Sequence, residues 1–187
     1  MPMDDADALH PLGPVARALR KKRLSLATRR GYIALLRNVL ILVLLVYLAF
    51  TQVFLLTVVS GADMFPAILD GDVLLGYRLE PEYRKNDVVV AELDGKTVIG
   101  RVVARGGDSV IITGEGSLFV NGTEQRGEIA FLTYPGQGQE YPFIVPPNCV
   151  YLLGDNRGDT LDSRTFGPVA ETQIKAKVVA VFRKRGI

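Results

Sequence analysis

Apolar residues are spread unevenly along this chain, and the spacing between them changes character twice. From Val39 to Val59 they run for 21 positions, interrupted only by Thr51, Gln52 and Thr57. At ~1.5 Å rise per residue, a helix of that length spans about the ~30 Å hydrocarbon core of a bilayer. The run therefore predicts a transmembrane helix, assigned to residues 38–59. It is longer than the ~7–15-residue apolar region of a cleaved signal peptide. Ahead of it, Pro11 and Pro14 precede Val15-Ala16-Arg17-Ala18-Leu19-Arg20, a moderately helical pattern. That stretch suits either a surface-lying basic amphipathic segment or a disordered tail.

After Gly61 the texture changes to short β-branched runs punctuated by Gly, Pro, Asn and Asp. These are Val73–Leu75, Val88–Val90, Thr97–Ile99, Val102-Val103, Val110–Ile112, Leu118–Val120, Val150–Leu153 and Val178–Phe182. None sustains a 3.6-residue apolar period, so residues 60–187 are predicted to be a mostly β domain. Asn121-Gly122, directly after Leu118-Phe119-Val120, is a hairpin-turn signal. Residues 121–148 are predicted to be loop-rich.

Charge decides the setting. Residues 1–37 hold eight Lys/Arg against three Asp, a net +5, whereas residues 60–187 hold 14 basic and 17 acidic side chains, a net −3. A basic arm alone would also suit nucleic acid. The apolar run that follows it favours a membrane and its lipid instead, with residues 1–37 as a cytoplasmic tail and 60–187 outside. Cys149 is the only cysteine, so an intrachain disulfide is impossible, and its place before an apolar strand reads as a buried small hydrophobe. His10 is the only histidine and lies in the tail. No Ser-His-Asp triad and no His-based zinc site can form in the main domain, and neither a metal nor a cofactor is expected.

Three segments resemble boxes of the bacterial type I signal peptidases (peptidase S26). Ser60-Gly61-Ala62-Asp63-Met64-Phe65-Pro66-Ala67-Ile68-Leu69 is similar to the nucleophile box, in which a serine precedes the methionine. Gly100-Arg101-Val102-Val103-Ala104-Arg105-Gly106-Gly107-Asp108 is similar to the box carrying a lysine base. The stretch from Gly154 to Gly167 matches the third box most closely. The resemblance implies a signal peptidase I-type (S24/S26-like) β domain on an N-terminal transmembrane helix. It also implies the activity of that family, leader-peptide cleavage by a serine hydroxyl whose proton passes to a desolvated lysine.

Both dyad positions carry other residues: Asp63 stands at the serine's place and Gly100 at the lysine's. Arg101 cannot act as the base, because a guanidinium stays protonated and its side chain belongs to the other strand face. Lys96 is four residues back, ~13 Å along the strand at ~3.3 Å per residue. Ser60 is expected to turn away from the site if the backbone there is extended. Loss of nucleophile and base costs on the order of 10⁶ in rate, so negligible cleavage is expected. Asp63 has three open readings: filling the oxyanion hole, pointing to solvent or a cation, and pairing with Asp162 as an aspartic dyad.

In the third box Asp155, Asn156, Arg157, Thr160, Asp162, Ser163 and Arg164, together with Arg101, are expected to form a supporting shell of buried pairs and turn residues. Gly61, Met64, Phe65 and Pro66 are candidates for peptide or membrane contact, or for a hydrophobic staple onto the β core. Dyad-lacking members of the family are associated with pilus assembly. The resemblance therefore implies an exported precursor or a pilin-like protein as partner, with an active leader peptidase as the alternative.

Overall fold

The computed structural model describes residues 14–80, 82–125, 131–137, 139–158 and 160–184. Pro11, His10 and the remainder of the tail before Pro14 lie outside them, as does Asp159 of the third box. The chain forms two compact units, Met1–Ala49 and Phe50–Ile187.

Helix α1 runs from Pro14 to Val53, so the basic segment and the apolar run share one helix. Its stretch Gly31–Val53 has a mean hydropathy of 2.5. These 23 residues would reach ~35 Å at ~1.5 Å each, enough to cross a bilayer. The apolar run does not stay helical to Val59, however. Residues Phe54–Val58 form strand β1, paired antiparallel with β2 (Val73–Tyr77) from Phe54↔Tyr77 to Val58↔Val73. An unbroken apolar run satisfies helix and strand equally, and here the open edge of β2 decides the outcome.

The remaining elements are β3 (Val88–Leu93), β4 (Lys96–Arg105), β5 (Ser109–Ile112), β6 (Leu118–Val120), β7 (Thr123–Glu124), β8 (Phe143–Ile144), β9 (Cys149–Leu153), α2 (Ser163–Phe166), β10 (Val169–Ala170) and β11 (Ile174–Phe182). All pairings are antiparallel. One sheet has the order β1-β2-β11-β3-β4-β9-β10 and the other β7-β6-β5-β8. The mostly β expectation holds, with the runs at Thr97–Ile99 and Val102-Val103 merged into the single strand β4. Asn121 (φ 53) and Gly122 (φ 76) join β6 to β7, and Asp94 (φ 49) with Gly95 (φ 75) join β3 to β4. Positive φ at both central residues gives the tight turn that matches strand twist.

Strands β4 and β9 divide the core between their two faces. Val102, Val150 and Leu152 pack with Val89, Ala91 and Val169 on one side. Ala104, Tyr151 and Leu153 pack on the small sheet's Val110, Ile112, Leu118 and Val120 on the other. Cys149 is half-buried against this second cluster rather than enclosed. The β4–β9 register shifts between Val102 and Ala104, so Val103 bulges and bends β4 just beyond Gly100. A third cluster, Val59, Met64, Ile68, Leu74 and Val90, lies beneath the turn that carries Asp63.

Strand β1 covers the edge of β2, so its removal exposes an unpaired ladder. A chain beginning at Phe54 is expected to melt cooperatively, whereas one beginning at Ser60 is expected to aggregate or melt at least ~5 °C lower. Differential scanning calorimetry of the two truncations in detergent decides this.

Candidate functional site

Asp63 sits on a turn rather than a strand. The Phe65 N–H donates to the Ala62 carbonyl at 3.0 Å, and the Ile68 N–H to the Met64 carbonyl at 2.9 Å. Gly61 enters this turn at φ +101, a conformation that side chains strain to adopt. Its N–H donates to Asp70 Oδ1 at 2.9 Å. Met64, only 1% exposed, plugs the core beneath, which is the staple arrangement rather than the peptide- or membrane-facing one. Gly61, Phe65 and Pro66 remain exposed.

The turn is fastened to the third box through its backbone. The Asn156 N–H donates to the Asp63 carbonyl at 3.0 Å, and Asn156 Nδ2 to the Ala62 carbonyl at 3.2 Å. Gly154 makes this approach possible, because a Cβ there would lie 2.6 Å from the Asp63 carbonyl oxygen and collide with Thr160. The Thr160 hydroxyl donates to the Asn156 carbonyl and accepts from Arg164 Nη2 at 3.4 Å.

Beneath the loop lies a buried charge network. Arg101 grips Asp155 with two bonds, Nε to Oδ1 at 2.8 Å and Nη2 to Oδ2 at 2.5 Å, and its Nη1 donates to the Asn86 carbonyl at 2.9 Å. Arg164 grips Asp162 likewise, each bond 2.8 Å, and donates through Nη1 to the Arg157 carbonyl at 2.8 Å. Arg157 donates to the Gly154 carbonyl at 2.7 Å and to the Thr133 hydroxyl at 2.8 Å. Desolvation pulls the Arg157 guanidinium down to about 10, with Asp155 and Asp162 opposing it, so it stays charged near neutral pH. Ser163 accepts the Leu152 N–H at 2.9 Å. These side chains are thus brought together as ion pairs and turn anchors.

Asp162 is spent within this network. Its oxygens accept from both Arg164 side-chain nitrogens, from the Arg164 N–H at 3.1 Å as the cap of α2, and from the Gly154 N–H at 3.3 Å. With its oxygens turned to these donors, Asp162 faces Arg164 and Gly154, which weighs against an aspartic dyad with Asp63.

Gly100 lies opposite Val89 on β4 and is buried. A Cβ there would meet Leu152 Cβ at 3.2 Å and the Leu153 carbonyl at 3.6 Å, one residue before Gly154. Both dyad positions therefore converge on the end of β9, one through the Asp63 backbone and one through the face of Gly100. Arg101, next along, faces the other way to Asp155, as the strand alternation requires.

Ser60 corrects its expected placement. The backbone there turns instead of extending, so the exposed Ser60 lines one pocket with Asp63, Val59, Met64, Thr97 and Ile99, of about 160 Å³. Thr57 and Thr97 also border an adjoining pocket of about 260 Å³, with Leu55, Arg78, Val90, Glu92 and Lys175. Together the two form a groove between β1 and β4. Among the described residues lining the Asp63 pocket there is no lysine, arginine or histidine. Lys96 is exposed at the start of β4. Sequence reasoning also misses the buried Tyr141–Tyr151 hydroxyl pair, 2.7 Å apart, in which burial pushes both phenols up. An apolar strand context gives no signal for such a pair.

The profile of the family "Signal peptidase, peptidase S26" matches residues 32–183. Thylakoidal processing peptidase 1 of Arabidopsis thaliana is 28% identical over 141 residues, which cover 67% of this chain and 40% of that protein. Signal peptidase I of Bacillus caldolyticus is 30% identical over 143 residues, covering 65% of this chain and 75% of its own. A crystal structure of a signal peptidase I from Enterococcus faecalis aligns at 20% identity and a TM-score of 0.44, over 53% of this chain and 97% of that one. With a match running from the apolar helix to the last strand, the chain belongs to the signal peptidase family, peptidase S26.

Proposed function

We propose that this protein binds an extended peptide at the outer membrane face without cutting it. The client is an exported precursor or a pilin-like surface subunit. One observation carries this reading: a family scaffold with its supporting network assembled holds Asp63 and Gly100 at the two positions where the chemistry belongs. An alcohol attacking an amide needs a base beside it, and glycine offers none. The groove between β1 and β4 accounts for binding, since an extended segment can lie along strands without any dyad. Helix α1 anchors the domain, with the basic residues before Asn38 in the cytoplasm and the β domain outside. Exposed Leu56, Val58, Phe65 and Leu69 meet the outer leaflet.

Incubating the purified chain with a leader-bearing precursor tests this directly. The natural chain is expected to yield no product by gel and mass spectrometry. The double variant Asp63→Ser with Gly100→Lys is expected to yield some, at a rate well below that of an active family member. The new Cβ approaches Leu152 Cβ to 3.2 Å, and Leu152 must shift by a few tenths of an ångström to admit the lysine stem.

The pocket that Ser60 and Asp63 share favours a second reading, an active leader peptidase. The Ser60 hydroxyl would attack the scissile carbonyl and the Asp63 carboxylate would take its proton. A carboxylate is a weak base for an alcohol, so binding without cleavage ranks first. Product from the natural chain that disappears in Ser60→Ala and in Asp63→Ala would establish the peptidase and refute the first reading.

A further inference from the structure

The groove's two pockets differ in chemistry. The larger one carries an ion pair, Lys175 Nζ to Glu92 at 3.2 Å, and a second cation, Arg78, whose Nε donates to the Phe54 carbonyl at 3.3 Å. Among the described residues, Asp63 is the one ionisable group lining the smaller pocket, with the hydroxyl residues Ser60, Thr57 and Thr97 around it and Val59, Met64 and Ile99 as apolar walls.

We propose that the Asp63 pocket is a cation site that seats the ammonium group of a lysine side chain from the peptide lying in the groove. This assignment rests on the reading of the groove as a peptide-binding site and names the side chain it selects. An ammonium group brings three donors and no acceptor. A carboxylate with neighbouring hydroxyls is its complement. A carboxylate offers about four acceptor positions, room for a guest ammonium together with any contact Asp63 makes within the protein. The aliphatic walls suit the four-carbon stem, which packs on apolar surface while its charged end reaches a polar one. Lysine fits better than arginine, whose rigid planar fork asks for bidentate partners rather than one carboxylate among hydroxyls. The substitution that removes the nucleophile thereby supplies a counter-charge.

The test uses the full chain in detergent micelles and fluorescent nine-residue peptides of alanine and threonine. The central residue is lysine, acetyl-lysine, norleucine or glutamate, and binding is read by fluorescence polarisation. Lysine is expected to bind about tenfold more tightly than acetyl-lysine or norleucine, the scale of one hydrogen bond to a charged group. Asp63→Asn is expected to bring the three within about twofold while leaving the melting temperature unchanged, and the exposed Glu115→Gln to keep the preference. Equal binding of lysine, acetyl-lysine and norleucine peptides would remove the cation site but leave the peptide groove standing. A lysine preference that survives Asp63→Asn would also overturn the assignment. Failure of every peptide to bind would refute the groove reading along with it.

Discussion

The site is organised by charge that has been taken out of water. Asp155, Arg157, Asp162 and Arg164 are each at most 7% exposed, and Arg101 reaches in from β4 to complete the set. An isolated ion in that environment would be costly, so each carboxylate must be met by a guanidinium and each remaining lone pair by a donor. The two-pronged Arg101–Asp155 and Arg164–Asp162 pairs meet that demand, and the Gly154 and Arg164 N–H groups take up further acceptor positions. Removing one partner of such a pair costs about 3–5 kcal/mol, because the other is left charged and buried. The loop from Gly154 to Phe166 is consequently held to one arrangement.

That arrangement positions the site through backbone atoms. Asn156 holds the carbonyls of Ala62 and Asp63, and the absence of a side chain at Gly154 lets the two loops touch. Because the anchor at position 63 is its carbonyl, the residue type there is not what secures the turn. Gly100 stands outside the charge network as well, against Leu152. The residue types at 63 and 100 are therefore not what fastens the two loops together. The charge network can therefore be complete whatever residues stand at 63 and 100, and its members are evidence for architecture rather than catalysis.

How far the sequence reveals this varies with the kind of interaction. The strands β2 to β6, β9 and β11 are readable from β-branched runs between turn residues. Asn121-Gly122 foretells its own positive φ pair, and Asp94-Gly95 is readable in the same way. Local signals suffice there because the causes are local. The end of α1 is not readable: Phe54–Val58 is apolar but for Thr57, and only the edge of β2 makes it a strand. The partnership of Arg101 with Asp155 spans 54 residues, and motif spacing announces neither residue as the other's partner. Ser60 is misplaced for a related reason, since Gly61 turns the backbone where regular extension would have carried the hydroxyl away.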